Sequence, residues 1–162
     1  MNIITYPNSI LRQKTRKIKK SEIANLQSLI SKMITIMKEK EGLGLAAPQI
    51  GESLKITIVA ADNKGEVLVL INPKILRKSL RKELGEEGCL SLPGIYGLVK
   101  RPKKIKVTAL NKEGKKIKFF AADIFARIIC HETDHLNGVL FIDKTKKIIK
   151  GKEELDKLNS QA

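Results

Sequence analysis

Two histidines and a carboxylate stand close together late in the chain, in the stretch RIICHETDHLNG. His131 and His135 are the only histidines among the 162 residues, and Glu132 directly follows the first of them. Residues four apart lie on one face of a helix, so both imidazoles can reach the same metal ion. Glu132 lies about 100° round the helix from His131, beside the site, where it can touch a metal-bound water without binding the ion. The spacing predicts a metal site with a neighbouring general base.

A metal held by two imidazoles alone would be loosely bound, so a third ligand is needed. No histidine follows Gly138, and the acids of the C-terminal tail lie among lysines. Cys89 lies in GEEGCLSLPG, a segment whose glycines and proline exclude a regular helix. A thiolate there can complete a tetrahedral site with an open fourth position. Cys130 adjoins His131 but points about 100° away from the histidine face, so the sequence favours Cys89 over Cys130.

A glycine-rich stretch, GLGLAA, formally fits the dinucleotide-binding pattern G-x-G-x-x-A. That pattern needs a strand before it and a helix after it, whereas here a predicted helix ends at Gly42 and a predicted strand begins near Lys55. Nucleotide binding is therefore disfavoured. The small residues would let a backbone lie close to a ligand, and Gln49 adds a neutral amide donor. The alternative is a simple helix C-cap followed by a turn.

The first long element is predicted to be a helix that Ser21 caps and Gly42 ends. Its apolar residues follow the three-four spacing of one buried stripe: Ile23, Leu26, Ile30, Met33 and Met37. The next stretch, GLGLAAPQIG, is too rich in glycine and too abruptly interrupted by Pro48 to continue the helix. It is predicted to be a tight loop.

Alternating and apolar runs predict two hairpins. In the first, the turn DNKG joins the strands KITIVAA and EVLVLIN. In the second, the turn NKEG joins the strands KKIKVTAL and KKIKFFA. The mixed segment NPKILRKSLRKELGEEG is predicted to be loop and edge. Asp123 is predicted to open the histidine helix and Gly138 to close it, and KEELDKLN to form a short final helix. Strands outnumber helices and the motif-bearing helix comes late, which favours an α+β fold over a doubly wound sheet.

The composition is that of a globular protein with a strong basic excess. The chain has 32 Lys+Arg against 17 Asp+Glu, a net charge of +15. Such a charge attracts polyanions such as nucleic acid or an anionic membrane, although a lysine-rich composition can also serve solubility alone. The lysines are spread along the chain, and no interleaved aromatic residues are expected to stack with bases.

The amino-terminal stretch has no apolar h-region and no small-residue cleavage site, and the longest aliphatic run, VLVLI, is too short to cross a bilayer. A cytoplasmic location is therefore predicted. Thiols stay reduced there, so Cys89 and Cys130 are not expected to form a structural disulfide.

With these motifs assembled, the sequence resembles the peptide deformylases. GLGLAAPQ (residues 42–49), EGCLS (87–91) and HETDH (131–135) match three family motifs in family order, and the likeness covers nearly the whole chain. The resemblance implies a single domain over residues 1–162, with antiparallel β-sheets packed around a central helix that carries the HExxH motif. It also implies removal of the N-formyl group from the formyl-methionine of newly made polypeptides, with release of formate.

The resemblance assigns metal binding and catalysis to individual residues. The implied metal ligands are Cys89, His131 and His135. The ion would be Fe²⁺ physiologically, often replaced by Ni²⁺, Co²⁺ or Zn²⁺ in preparations. Glu132 would act as general base and then as general acid. The Gln49 side chain and the Leu90 backbone N–H would stabilise the oxyanion.

The resemblance also implies how the substrate binds. The extended peptide backbone would contact Leu43, Gly44 and Gly88. The methionine side chain would enter a pocket lined by Ile124 and Ile128. A further pair, Glu87 and Arg101, matches a family ion pair that braces the metal loop.

Two positions depart from the family pattern. Cys130 stands where Gln is usual, and Arg127 stands near the pocket rim where an aliphatic residue is frequent. Two other functions are disfavoured by the sequence. An HExxH peptidase that cuts internal peptide bonds is disfavoured because no downstream ligand exists. A basic binding protein with a closed structural metal is disfavoured because such sites use four protein ligands.

The expected partners are formylated nascent peptides and, through electrostatic attraction to its RNA, the ribosome. No membrane and no specific DNA are expected as partners.

Overall fold

The computed structural model describes residues 2–61 and 65–161. Three α-helices occur in this part of the chain: α1 (Gln27–Glu39), α2 (Asp123–His135) and α3 (Lys152–Asn159). The strands found there are β1 (Gly44–Ala46), β2 (Ile56–Ala60), β3 (Val67–Lys78), β4 (Lys82–Cys89), β5 (Leu92–Pro102), β6 (Lys104–Leu110), β7 (Lys116–Ala122) and β8 (Thr145–Lys150). None of the described helices combines the length and the apolar character needed to cross a bilayer.

A five-stranded antiparallel sheet, in the order β1-β2-β3-β6-β7, lies between α1 and α2. Ile58 of β2 packs with Met33 and other residues of α1 on one face. The next residue, Val59, packs with Ile129 of α2 on the other, because successive side chains of a strand alternate between faces. Each buried aliphatic side chain contributes about 1.5–3 kcal/mol to folding. Burial on both faces explains why every residue of β2 except Thr57 is apolar, and the buried Thr57 hydroxyl donates a hydrogen bond to the carbonyl of Leu45.

A second, three-stranded antiparallel sheet has the order β4-β5-β8. It packs on its own apolar cluster, in which Leu11, Leu92 and Phe141 are almost completely buried. This cluster supports the β4–β5 hairpin from below and therefore fixes the position of the hairpin's turn.

The α+β prediction is confirmed, and several elements match their sequence patterns. The pairs β2–β3 and β6–β7 are antiparallel hairpin partners as predicted. Three of the four residues of the predicted DNKG turn, Asp62, Asn63 and Lys64, lie outside the described residues. Helix α2 begins at Asp123 as predicted and ends at His135, three residues before Gly138, whose φ of 71° favours glycine. Helix α3 covers KEELDKLN as predicted.

The predicted start of the first helix is wrong. Residues Lys20–Leu26 form a 3₁₀ helix, and the α-helix begins only at Gln27. Lys19 is the N-cap of the 3₁₀ helix and its backbone N–H donates a hydrogen bond to the Glu22 carboxylate at 2.6 Å, while Ser21 lies inside the helix. The apolar stripe is retained because Ile23 is still buried in the same cluster as α1.

Two segments predicted as loops contain strands instead. Within GLGLAAPQIG, β1 pairs with β2, and a 3₁₀ turn (Ala47–Ile50) follows. In the segment predicted as loop and edge, β3 continues to Lys78 within its sheet, whereas β4 is an edge strand, as predicted for part of this segment, and pairs with β5 along its length. Neither local sequence has a strong strand pattern. Their backbone groups are satisfied by partners distant in the sequence, which local patterns do not reveal.

Candidate active site

The β4–β5 hairpin presents Cys89 at its tip. Cys89 ends β4 and pairs with Leu92, so Leu90 and Ser91 form the turn, and the register shifts between Gly88 and Cys89. A Cβ at Gly88 would lie 2.7 Å from the ring of Tyr96, so the close approach of the two strands requires glycine there. The shift directs the thiol of Cys89 towards α2.

Helix α2 brings both histidines to the same thiol. The Nε2 atoms of His131 and His135 lie 3.2 Å apart, and the Sγ of Cys89 lies 3.2 Å from Nε2 of His135. One ligand atom from each of the three residues lies within 4.8 Å of the others. Both histidines are buried. The predicted ligand set is therefore assembled in one place, whereas Cys130 packs in the core between α2 and the sheet.

These residues fit a divalent metal ion. A tetrahedral site with metal–nitrogen and metal–sulfur bonds of about 2.0–2.3 Å separates its ligand atoms by roughly 3.3–3.7 Å, close to the spacing found here. Burial lowers the pKa of His135 well below its usual value, which leaves the neutral imidazole that binds metals. Burial would also lower the pKa of His131, but hydrogen bonds to Cys89 and Glu87 raise it well above its usual value. These negative groups favour a positive charge at the site.

Glu87 orients His131 from the side away from the cluster. Its Oε2 lies 3.0 Å from Nδ1 of His131, which leaves Nε2 directed at the thiol. Arg101 donates two hydrogen bonds to this carboxylate, both at 2.8 Å, and Arg127 donates a third at 2.8 Å. Burial alone would raise the pKa of Glu87, but Arg101 and His131 lower it to about 2. The carboxylate is therefore charged, and the imidazole is held in one orientation.

Sequence reasoning missed two parts of this network. Arg127, expected near the pocket rim, lines the cleft and donates hydrogen bonds to Glu87 and to the backbone carbonyls of Glu83, Gly85 and Val99. Asp134, inside the HETDH motif, accepts a hydrogen bond from Arg101 at 2.5 Å. No local signal could have revealed these contacts, because each joins α2 to a strand that is distant in the sequence.

Glu132 lies against the glycine stretch. A Cβ on Gly44 would lie 2.5 Å from its Oε1, so only glycine allows the strand to pass this close. Glu132 is 4% exposed, and its Oε2 has no hydrogen-bond partner among the described residues. Burial raises the pKa of this carboxyl group to about 7. A carboxyl with such a pKa can both accept and return a proton near neutral pH.

Gln49 is buried beside the same cluster. Its Oε1 accepts a hydrogen bond from the backbone N–H of Ala46 at 2.8 Å, which fixes the orientation of the amide. Its Nε2 then points to Ser91 Oγ at 3.2 Å and to the Cys89 thiol at 3.5 Å. A rigid amide donor therefore faces the cluster.

A cleft of about 820 Å³ opens onto these groups. Among the residues that line it are all those expected to contact substrate: Leu43, Gly44, Gly88, Ile124 and Ile128. Gln49, Leu90 and Glu132 line it as well. Leu43 and Ile124 are 55% and 61% exposed and form the rim, while Ile128 lies deeper. The expected apolar wall therefore exists, with its outer end in solvent.

Comparisons with known proteins agree with this arrangement. The chain is 50% identical to peptide deformylase 1 of Clostridium acetobutylicum over 143 residues, which are 88% of this chain and 93% of that protein. The crystal structure of peptide deformylase from Thermotoga maritima superposes with a TM-score of 0.84 at 37% identity, covering 90% of this chain and 97% of that one. A Plasmodium falciparum peptide deformylase structure gives a TM-score of 0.88 at 38% identity over 98% and 94%. Since the family model for polypeptide deformylases also matches residues 1–150, the chain belongs to the polypeptide deformylase family.

Proposed function

We propose that the chain performs the reaction of its family at a divalent metal ion held by Cys89, His131 and His135. That reaction removes the N-formyl group from the N-terminal formyl-methionine of newly synthesised polypeptides and releases formate. The observation that carries the assignment is the cluster of one half-buried thiol and two buried imidazoles at a peptide-sized cleft, with a buried carboxyl group beside it.

The proposed ion is Fe²⁺, which Ni²⁺, Co²⁺ or Zn²⁺ can replace in preparations. A thiolate with two imidazoles is a donor set that suits these ions, and it leaves room for a fourth ligand. When bound, such an ion supplies a hydroxide nucleophile near neutral pH and polarises the formyl oxygen. The thiol also makes the site sensitive to oxidation, which is why the metal should be analysed anaerobically.

The proton transfers fall to Glu132. In the proposed mechanism its carboxylate accepts a proton from the attacking water and then delivers it to the departing amine. The raised pKa of about 7 suits both steps. The Gln49 amide and the Leu90 N–H donate hydrogen bonds to the oxyanion. Each such donor typically stabilises the transition state by about 3–4 kcal/mol.

Binding of the peptide follows from the lining of the cleft. The backbones of Leu43, Gly44 and Gly88 are proposed to pair with the extended substrate, because glycine and edge-strand positions leave backbone groups accessible. The methionine side chain is proposed to lie against Ile124 and Ile128.

Formate release tests the proposal. After anaerobic purification and metal analysis, the enzyme should release formate from a formyl-Met tripeptide. It should leave the acetyl-Met tripeptide and internal amide bonds intact. Glu132→Gln should keep its metal and fold but lose at least ~100-fold in kcat. Turnover within a few-fold of wild type would refute the assignment of the base, and cleavage of internal bonds would indicate a peptidase.

The wider setting is proposed from the same assignment. The chain is proposed to act as one domain over residues 1–162, in the cytoplasm, on formylated nascent peptides. The net charge of +15 is proposed to increase its encounter rate with the ribosome.

A further inference from the structure

One side of the five-stranded sheet is only half covered. Helix α1 packs on β2 and the first half of β3, where Ile58 and Ile71 are completely buried. Leu110, opposite Ile71, still packs against this cluster. Beyond it, the residues of β6 and β7 on the α1 side of the sheet are exposed or partly exposed. Helix α2 covers the other side, so this surface lies across the sheet from the metal ligands.

The strand register gathers cations on this uncovered surface. Because cross-strand partners share a face, Arg77 lies beside Lys106, which lies beside Phe120. The next row joins Lys74, Thr108 and Lys118 in the same way. We call this surface the basic face, and its cations are Lys74, Arg77, Lys104, Lys106, Lys116 and Lys118.

No carboxylate in the described part of the chain neutralises the charges of the basic face. None of its six cations forms an ion pair with a carboxylate of the described residues, and none of the positions in its rows is acidic. Like charges directly opposite each other on neighbouring strands destabilise a sheet. A bound polyanion would relieve this repulsion, so the arrangement is complementary to a row of phosphates.

An aromatic side chain lies among these cations. Phe120 is 71% exposed, and Nζ of Lys106 lies 4.9 Å from the centre of its ring. The sequence-based expectation that no aromatic residue interleaves with the lysines is therefore wrong at this position, because the pairing of β6 with β7 places Phe120 beside Lys106. An accessible ring in a cationic surface is the arrangement on which bases of single-stranded nucleic acids stack.

We propose that the basic face binds single-stranded RNA, with phosphates on the cations and a base on Phe120. A bilayer is a poorer fit, since the rows contain one exposed apolar side chain rather than an apolar stripe. The choice of RNA over DNA rests on the proposed function, because nascent chains emerge from an RNA-rich particle. Binding itself needs neither the metal ion nor the cleft.

The test compares two variants that remove the same charge from different surfaces. One carries Lys104→Gln, Lys106→Gln and Lys118→Gln on the basic face. The matched control carries Lys146→Gln, Lys147→Gln and Lys152→Gln, all exposed residues of β8 and α3. Fluorescence anisotropy with a labelled 12-nucleotide uridine-rich RNA is measured between 50 and 300 mM salt, with the matched DNA and vesicles containing phosphatidylserine as further probes.

The basic-face variant should lose at least tenfold in RNA affinity, and its salt slope should fall by about 2, since each single-strand phosphate contact contributes about 0.7. The control should change less than threefold. Phe120→Ala should lose about fivefold or more without a change in salt slope, and Phe120→Tyr should restore binding. Equal losses in both triple variants, or tighter binding to DNA or vesicles than to RNA, would overturn the proposal. All variants should release formate from a short formyl-Met peptide at the wild-type rate, so failure of RNA binding and failure of the deformylase assignment are separate results.

Discussion

Replacement of Gly44 with alanine should strongly lower kcat but should not change the fold or the metal content. Gly44 does not have a left-handed backbone, so alanine fits the main chain. Its new Cβ, however, would lie 2.5 Å from Oε1 of Glu132 and 2.7 Å from Cγ and Cδ, whereas ordinary contacts begin near 3.4 Å. Glu132 is 4% exposed and has little space into which to move.

The carboxylate must therefore retreat by about 1 Å, and a misplacement of that size can lower a rate by about 100-fold. This corresponds to about 2.7 kcal/mol of transition-state stabilisation. We expect Gly44→Ala to lower kcat for a formyl-Met tripeptide by about this factor, with KM little changed. Formate release, metal content and thermal unfolding would be measured on the same preparation.

Gly42→Ala is the matched control. Its Cβ would meet the tip of the Leu90 side chain at 2.9 Å, and that tip can rotate away. Activity within about threefold of wild type is expected. If Gly44→Ala kept its kcat, or raised KM alone, the close packing of Gly44 on the proposed base would not be what positions that base.

Three further substitutions test the metal centre and its supports. The Cys89→Ser variant should lose most of its metal on gel filtration because it lacks one ligand. The Cys130→Ser variant, whose substitution lies in the core, should retain its metal. Equal metal retention by the two variants would show that Cys89 is not the third ligand. Glu87→Gln should lower the free energy of unfolding at pH 7 by about 3–5 kcal/mol, because it leaves Arg101 and Arg127 largely buried without their carboxylate. The pKa of Glu87 is about 2 in the folded protein against 4.5 ordinarily, so wild type holds this advantage above pH 4.5 and loses it as the pH falls towards 2. Urea unfolding at pH 7 and pH 3 should show the difference between the two proteins shrinking, and a constant difference would contradict this account.

Much of the chemistry could be predicted from the sequence because it depends on local spacing. The four-residue separation of His131 and His135 places both rings on one face of any helix, whatever surrounds it. The pairing of β6 with β7 could be predicted from the alternating residues on either side of a short turn. The glycines at positions 42 and 44 indicated that another group lies close to the backbone there, but not which side chain it is.

Only the tertiary structure determined which side chains contact these residues. The approach of β4 to α2 brings Cys89 within 3.2 Å of His135 and places Arg127 on Glu87, and both contacts join positions about 40 residues apart or more. The same holds for β1 and β4, whose weak local patterns are overridden by the partners that complete their hydrogen bonds. Phe120 is a surface example. In the sequence it is an ordinary residue of a predicted strand, and only the pairing of β3, β6 and β7 makes it an exposed ring among cations. The spacing of residues along the chain determines which side chains lie on one face of a helix or strand. The packing of distant elements determines which charged and aromatic side chains lie against that face.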